Sequence, residues 1–200
     1  MNFFSAQEQL LTCHPQTPSQ WVRTVQAHLS EADDRGLAIT YSLEGELSRL
    51  CLPAQRAPSR VDGLWQHTCF EAFIAVKGAP AYREFNFSPS GEWAAYAFED
   101  YRDGVPLTPD SKPEIKVSNA GNRLQLDVVI DRRCLPPMSS ETRLLFGLSA
   151  VIEEDDGVLS YWAIRHPPSR PDFHHPDSFV LELNPNNVDA RSDPAYTNKR

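Results

Sequence analysis

Apolar and polar residues alternate at every second position through most of the chain, and this pattern constrains the fold more than any other feature. In residues 123–130 (RLQLDVVI) every second residue is aliphatic, while Gln125 and Asp127 lie between them. A period of two is that of a β-strand with one buried face. Further strands are predicted at 37–43, 68–76, 82–88, 92–98, 115–117, 144–152, 159–166 and 179–183. Short strands joined by turn sequences predict an all-β fold, an antiparallel β-sandwich (jelly-roll or immunoglobulin-like) of about ten strands.

Residues 19–31 fit two kinds of secondary structure. They form an amphipathic helix if Ser19 caps it, or a strand if Trp21, Val25, Ala27 and Leu29 face inward. The turn sequence at 33–36 (DDRG), directly before a strong strand, favours a β-hairpin. We therefore predict a strand.

The length and the ends of the chain predict one domain. Two hundred residues, 40% of them hydrophobic, support a single core, so we expect one β-sandwich domain at 1–184 and a polar tail at 185–200. No apolar run approaches the roughly 18 residues of a membrane helix. The first residues show neither a cationic start nor an apolar signal core, so a cytoplasmic location is expected.

The charge balance narrows the class of partner. There are 19 basic and 27 acidic residues, a net charge of −8, and Lys and Arg do not cluster. Nucleic acids and anionic membranes need a basic surface, so neither is an expected partner. A neutral or cationic small molecule suits this balance better, and no protein partner is indicated.

The densest group of chemically informative residues lies in three successive predicted strands at 64–104. In the first two strands one face is entirely apolar, which leaves Glu71, with Cys69 and Phe73, and then Glu84 and Asn86 on the other face. In the third strand we expect Tyr96 and Phe98 to face the core. The outward residues there are expected to be Trp93, Ala95, and Ala97.

These outward residues suit a sugar. Carboxylates accept hydrogen bonds from hydroxyl groups, an amide both donates and accepts, and the ring of Trp93 packs on the C–H face of a pyranose. The alternative is an ordinary solvated sheet face, on which Glu and Asn are common.

The strings LWQHTCFEAFI and YREFNFSPSGEWAAY resemble bacterial DOMON-like domains within the superfamily of type 9 carbohydrate-binding modules. The resemblance extends from about Leu37 to Phe179 and is strongest from Trp65 to Arg102. It implies a β-sandwich that binds sugar without catalysis. In sugar-binding members a Trp stacks on the sugar six residues before a Glu that binds its hydroxyls, which implies these roles for Trp65 and Glu71.

The resemblance departs from the family pattern on the next strand. Sugar-binding members supply an Arg and, two residues later, an Asn. Here Glu84 and Asn86 occupy those places, so the Arg has become an acid. A second, late Trp completes an aromatic sandwich in the binders, and Trp162 is its nearest counterpart.

Glu71 and Glu84 also permit a catalytic hypothesis. A carboxyl pair hydrolyses glycosides when one member is a general acid with a raised pKa. Nothing in the resemblance implies catalysis, so the non-catalytic interpretation is preferred.

Residues 160–179 (SYWAIRHPPSRPDFHHPDSF) contain three histidines and four prolines, and we expect them to fold over one end of the sandwich. A metal site of His166, Asp172 and His174 is one hypothesis, although the spacing matches no known ligand pattern. His166 in the wall of a ligand pocket is preferred. Arg102, at the predicted hairpin end 101–104, is a weaker candidate for clamping an anionic group.

Haem is the last alternative, because the wider DOMON group includes haem binders with axial Met and His or Lys. The internal Met138 with His67 or His166 is the available pair, and no CxxCH motif is present. No cofactor is therefore expected, with haem or a metal ion as alternatives.

Overall fold

Twelve strands and four single-turn 3-10 helices form the regular structure of the computed structural model, which describes residues 7–32, 35–137 and 142–183. The strands are β1 (Gln7–Cys13), β2 (Val22–Glu31), β3 (Gly36–Gly45), β4 (Cys69–Val76), β5 (Tyr82–Phe87), β6 (Trp93–Asp100), β7 (Asp103–Pro106), β8 (Glu114–Ala120), β9 (Arg123–Asp131), β10 (Leu144–Glu153), β11 (Leu159–Ala163) and β12 (Leu181–Leu183). The 3-10 helices are Leu47–Arg49, Leu64–Gln66, Arg132–Cys134 and Pro176–Ser178. The predicted all-β class is confirmed. In the part of the chain described, no helix has the length and apolarity to cross a membrane.

The strands pair antiparallel throughout, in the order β7-β6-β5-β4-β10-β11-β1-β2-β3-β9-β8, and β12 pairs with β10. Strand β1 joins the two halves, because its first part pairs with β2 while Thr12 and Cys13 pair with β11. We call β4–β7 and β10–β12 sheet I, and β2, β3, β8 and β9 sheet II.

The two sheets pack face to face around one core. Tyr41 of sheet II donates a 2.7 Å hydrogen bond to the carbonyl of Glu71 in sheet I, and its ring lies 5.1 Å from that of Phe70. Aliphatic side chains of sheet II meet aromatic side chains of sheet I in the same cluster. Its members include Val25, Leu29, Ile39, Leu43, Leu126, Ile130, Ile74, Phe85, Phe87 and Phe146. This arrangement is the predicted β-sandwich.

Residues 22–31 form strand β2, which confirms the predicted strand. Val25, Ala27 and Leu29 face the core as expected. Trp21 precedes the strand, is partly buried, and lies beneath the Arg49 guanidinium at 4.6 Å. An irregularity between Val22 and Thr24 turns Val22 inward as well. Residues 33–34 of the predicted turn, Met138 and the tail at 185–200 lie outside the described residues.

Two strands were not predicted. Strand β7 is a short edge strand of four exposed residues, so burial gives it no periodic pattern. Strand β1 changes sheets within seven residues, and its Leu10 is exposed while Leu11 is buried. Alternation of apolar and polar residues identifies strands that bury one face along their whole length. Neither β1 nor β7 does so.

The outer face of sheet I is covered rather than open. A second apolar cluster there joins Phe73, Tyr82 and Val151 of the sheet to Phe173, with Phe179 packed against it. The segment 164–180, which we call the cover, supplies both of these rings. The prediction that it folds over one end of the sandwich is therefore wrong: its aromatic side chains are buried against the apolar residues of the sheet face.

Candidate ligand-binding site

A cavity of about 540 Å³ lies on the outer face of sheet I, beneath the cover. Strands β4, β5, β6, β10 and β11 form its floor, and the cover, the β6–β7 hairpin and the loop before β4 form its walls. The volume is within the usual range for small-molecule sites. Its lining residues are Thr17, Trp65, Glu71, Glu84, Tyr96, Phe98, Arg102, Val151, Tyr161, Arg170, Pro171, Asp172, Phe173 and His174.

Two carboxyl groups lie on the floor because of strand phase and register. Glu71 is opposite Asn86, and Phe73 is opposite Glu84, so the two acids are diagonal neighbours on one face. Glu71 is 3% and Glu84 4% exposed. Oε1 of Glu84 accepts a 2.8 Å hydrogen bond from Nδ2 of Asn86, whereas Oε1 of Glu71 has no partner.

Burial raises the pKa of both carboxyl groups. It raises the pKa of Glu71 well above its ordinary value, and the charge of Glu84 adds to the increase. It raises the pKa of Glu84 to about 7, against the lowering effects of the Asn86 amide and Arg102. Burial raises the pKa of a carboxyl group that only binds a ligand just as it raises that of a catalytic acid. The raised pKa values are therefore not evidence for glycoside hydrolysis.

Asp172 fastens the cover to the β6–β7 hairpin. It accepts hydrogen bonds from Tyr101 Oη at 2.5 Å, Arg102 Nη2 at 2.8 Å and the backbone N–H of His174 at 3.1 Å. Arg102 adopts a left-handed backbone conformation, φ 57°, at the hairpin turn. Burial alone would raise the pKa of Asp172, but the hydrogen bonds from Tyr101 and Arg102 lower it. Asp172 therefore carries a negative charge that neutralises Arg102.

His174 reaches from the cover towards Glu84. Oη of Tyr82 accepts a 3.1 Å hydrogen bond from the Arg102 N–H and lies 2.9 Å from Nδ1 of His174. We assign the Tyr82 proton to that second bond, which places the His174 proton on Nε2. Nε2 is 3.7 Å from Oε2 of Glu84, too long for a hydrogen bond. Burial, then the charge of Arg102, lowers the pKa of His174 to about 4, so its ring is neutral near neutral pH.

Four of the predicted site residues line this cavity together: Trp65, Glu71, Glu84 and Arg102. The Trp65 side chain, on the 3-10 helix Leu64–Gln66, is 51% exposed at the rim. Asn86 lies on the same outer face beside Glu84, but its side chain is fully buried and is not part of the cavity lining. Its amide holds Glu84 in place, so it acts through Glu84 on anything that the cavity binds.

The predicted orientation of β6 is wrong. Trp93 pairs with Phe87 and Ala95 with Phe85, and all four face the core. Tyr96, opposite Glu84, and Phe98, opposite Tyr82, line the outer cavity instead. Both faces of β6 carry aromatic side chains and alanines, so polarity alone does not identify the inner face; the cross-strand register does.

Trp162 and His166 also lie away from the cavity. Trp162 is buried in the core, where its Nε1 donates to Oγ of Ser160 at 3.0 Å. The adjacent residue, Tyr161, lines the cavity in its place. His166 lines a separate cleft; its Nε2 is 2.8 Å from the carbonyl of Thr12 and its ring centroid is 4.8 Å from that of His14.

Tyr161 and Arg170 were absent from the predicted site. Tyr161 and Trp162 are successive strand residues and face opposite sides of the sheet. Assigning Trp162 to the outer face therefore assigned Tyr161 to the core. Arg170 reaches the cavity through the fold of the cover, for which no local periodicity exists.

The residues of the metal hypothesis do not come together, and the haem hypothesis depends on Met138, which lies outside the described residues. Among residues 7–32, 35–137 and 142–183, no group of three or more His, Cys, Asp or Glu side chains is placed to hold a metal ion. Asp172 and His174 line the main cavity, whereas His166 lines the other cleft. His67 is 2.7 Å from Oε2 of Glu153, outside both lining sets.

The comparisons with known proteins concern the fold. No family model and no curated protein matches the sequence. A protein from Bacteroides uniformis for which carbohydrate binding is proposed is similar in structure, with a TM-score of 0.66 and 14% identity over 88% of this chain and 84% of that chain. A family 9 carbohydrate-binding module from Caldicellulosiruptor kristjanssonii, in complex with cellotriose, has a TM-score of 0.54 and 12% identity over 98% of this chain and 88% of that chain.

These similarities identify the class of fold. The chain has a β-sandwich like that of family 9 carbohydrate-binding modules, as the resemblance in the sequence implied. The resemblance to DOMON-like domains stays a prediction.

Proposed function

We propose that this protein is a non-catalytic binding module for a saccharide, and that the cavity under the cover is its binding site. The observation that carries the proposal is the juxtaposition of Glu71 and Glu84 with the rings of Trp65, Tyr96 and Tyr161 in one cavity. Arg102 and His174 add polar groups at the wall.

The chemistry of the lining suits a sugar ring. A pyranose has apolar C–H faces and a rim of hydroxyl groups. Aromatic side chains pack on the faces, and buried carboxylates accept strong hydrogen bonds from the hydroxyls. Oε1 of Glu71 has no partner within the protein, so an added donor would satisfy a group whose burial is otherwise unfavourable.

The structural neighbours support the same class of ligand. One was solved with cellotriose and carbohydrate binding is proposed for the other. At 12–14% identity they support the fold, and the argument for a sugar therefore also needs the cavity chemistry.

The test is titration calorimetry of the purified protein with glucose, cellobiose and cellotriose. We expect binding that weakens at least about fivefold in Trp65→Ala, because an aromatic face contributes about 1 kcal/mol beyond its buried area. The Trp65 side chain is half exposed, so its removal leaves the core intact.

Leu10→Ala is the matched control, since Leu10 is an exposed apolar residue outside the cavity. It should bind as the unmodified protein does. Equal affinity in Trp65→Ala and the unmodified protein would refute this site. Failure of every neutral and amino sugar to bind would refute saccharide recognition altogether.

A further inference from the structure

We propose that the saccharide carries a protonated amine, which binds between the carboxyl groups of Glu71 and Glu84. This inference rests on the proposed function and specifies its ligand class. It starts from the cavity floor, where a hydroxyl-binding site needs acceptors and donors, but this site places two almost fully buried acids on the same sheet face.

The cations near these acids are already engaged. Arg102 is the basic residue whose charge reaches both carboxyl groups, and it is paired at 2.8 Å with Asp172. His174 approaches Glu84 only to 3.7 Å. Arg170 also lines the cavity, but as an exposed residue of the wall rather than of the floor. The floor therefore lacks a positive charge of its own.

An ammonium group supplies what the floor lacks. It has three N–H donors and one positive charge, so its binding favours the ionised form of two acids whose pKa burial raises, whereas a hydroxyl supplies one donor and no compensating charge. Two acceptors on the floor are open to such a group. They are Oε1 of Glu71, which has no partner, and Oε2 of Glu84, which is 3.7 Å from Nε2 of His174.

The aromatic side chains favour the same ligand. Tyr96, opposite Glu84 on the neighbouring strand, lines the floor together with Tyr161. The face of an aromatic ring attracts a cation, so these rings add to the carboxylates rather than opposing them. Sugar C–H groups and an ammonium group therefore fit one lining.

The experiment compares glucose, glucosamine and N-acetylglucosamine by calorimetry at a pH where the amine is protonated. These sugars differ at one ring position, which bears a hydroxyl, an ammonium or a neutral amide. We expect glucosamine to bind about tenfold more tightly than the other two, because charge-assisted hydrogen bonds are about twice as strong as neutral ones.

Glu84→Gln tests the contact and Glu114→Gln is its matched control. The Glu84→Gln side chain retains an acceptor for Asn86 but lacks the charge, so glucosamine binding should weaken more than glucose binding and the preference for glucosamine should disappear. Glu114 lies on the exposed strand β8, paired with Arg35 at 3.4 Å, and its removal should keep the preference.

The outcomes separate the two proposals. Equal binding of all three sugars would overturn the amine inference and support the saccharide function. Binding of cyclohexylamine that depends on Glu84, without binding of any sugar, would overturn the saccharide function and support amine recognition. Binding of none of the four compounds would overturn both.

Discussion

The outer faces of the two sheets follow the same alternation of apolar and polar residues but differ in their exposure to solvent. On sheet II the outward residues Thr40, Gln125 and Asp127 are half-buried and meet water. On sheet I the outward residues Glu71 and Glu84 are closed off beneath the cover. A polar residue on an outward face is thus ordinary on one sheet and part of a cavity on the other.

The polar groups around Asp127 on sheet II satisfy one another across the strands, although the buried Oγ of Ser42 on the same face has no partner. Oγ1 of Thr40 donates to Oδ1 of Asp127 at 2.7 Å, and Nε2 of Gln125 donates to both oxygens of the same carboxylate. In contrast, Oε1 of Glu71 on sheet I lacks any partner. The carboxylate of Asp127 is therefore satisfied within sheet II, whereas the carboxyl group of Glu71 keeps an unused acceptor in the lining of the cavity.

The cover creates this difference, and Phe173 is its apolar anchor. Its side chain is buried among Phe73, Val151 and Tyr161. We expect Phe173→Ala to lower the free energy of unfolding by about 3 kcal/mol, since a buried ring is replaced by a cavity. Urea denaturation followed by tryptophan fluorescence measures it.

Val158→Ala is the control for this anchor, because Val158 is 48% exposed and should cost less than about 0.5 kcal/mol. A similar small cost for Phe173→Ala would mean that the cover does not pack on sheet I, and the contrast between the two faces would be lost.

The buried acids predict a pH effect of intermediate size. The pKa of Glu84 is raised to about 7 by burial, so between its ordinary pKa and 7 the folded state holds a proton that the unfolded state releases. Stability therefore falls as pH rises through this window. Glu84→Gln should reduce the fall between about pH 5 and pH 8 by about 2 kcal/mol.

The groups around Glu84 bear on that profile: Glu71, Arg102, His174 and Tyr96. His174 acts in the opposite direction, because its pKa is lowered to about 4 and its contribution is lost as pH falls. Glu114→Gln controls for the loss of one negative charge. An unchanged slope in Glu84→Gln would show that Glu84 is not desolvated in solution.

The sequence predicted the fold and part of the site where one face of a strand is uniformly apolar. Phe70, Ala72 and Ile74 marked the inner face of β4, and this placed Glu71 correctly on the outer one. Trp65 followed from the resemblance rather than from periodicity. Both kinds of information are local in the chain.

The rest depends on contacts between distant segments. The face of β6 is set by pairing with β5, which brings Trp93 to Phe87 and Tyr96 to Glu84. His174 and Asp172 reach the cavity because the cover packs its rings on sheet I. Composition also did not distinguish a covered polar face from an open one, because both contain Glu and Ser.

The smallest expected effect is on sheet II, at Asp127. Its carboxylate accepts from Thr40 and Gln125 on a half-buried face, and water replaces either contact when the carboxylate is removed. Asp127→Ala should therefore lower the free energy of unfolding by only about 0.5 kcal/mol and leave sugar binding unchanged. Urea denaturation and calorimetry check both values. A cost above about 2 kcal/mol would show that the outer face of sheet II is as dependent on its polar network as the covered face, and the contrast would then lie in the residues rather than in the cover.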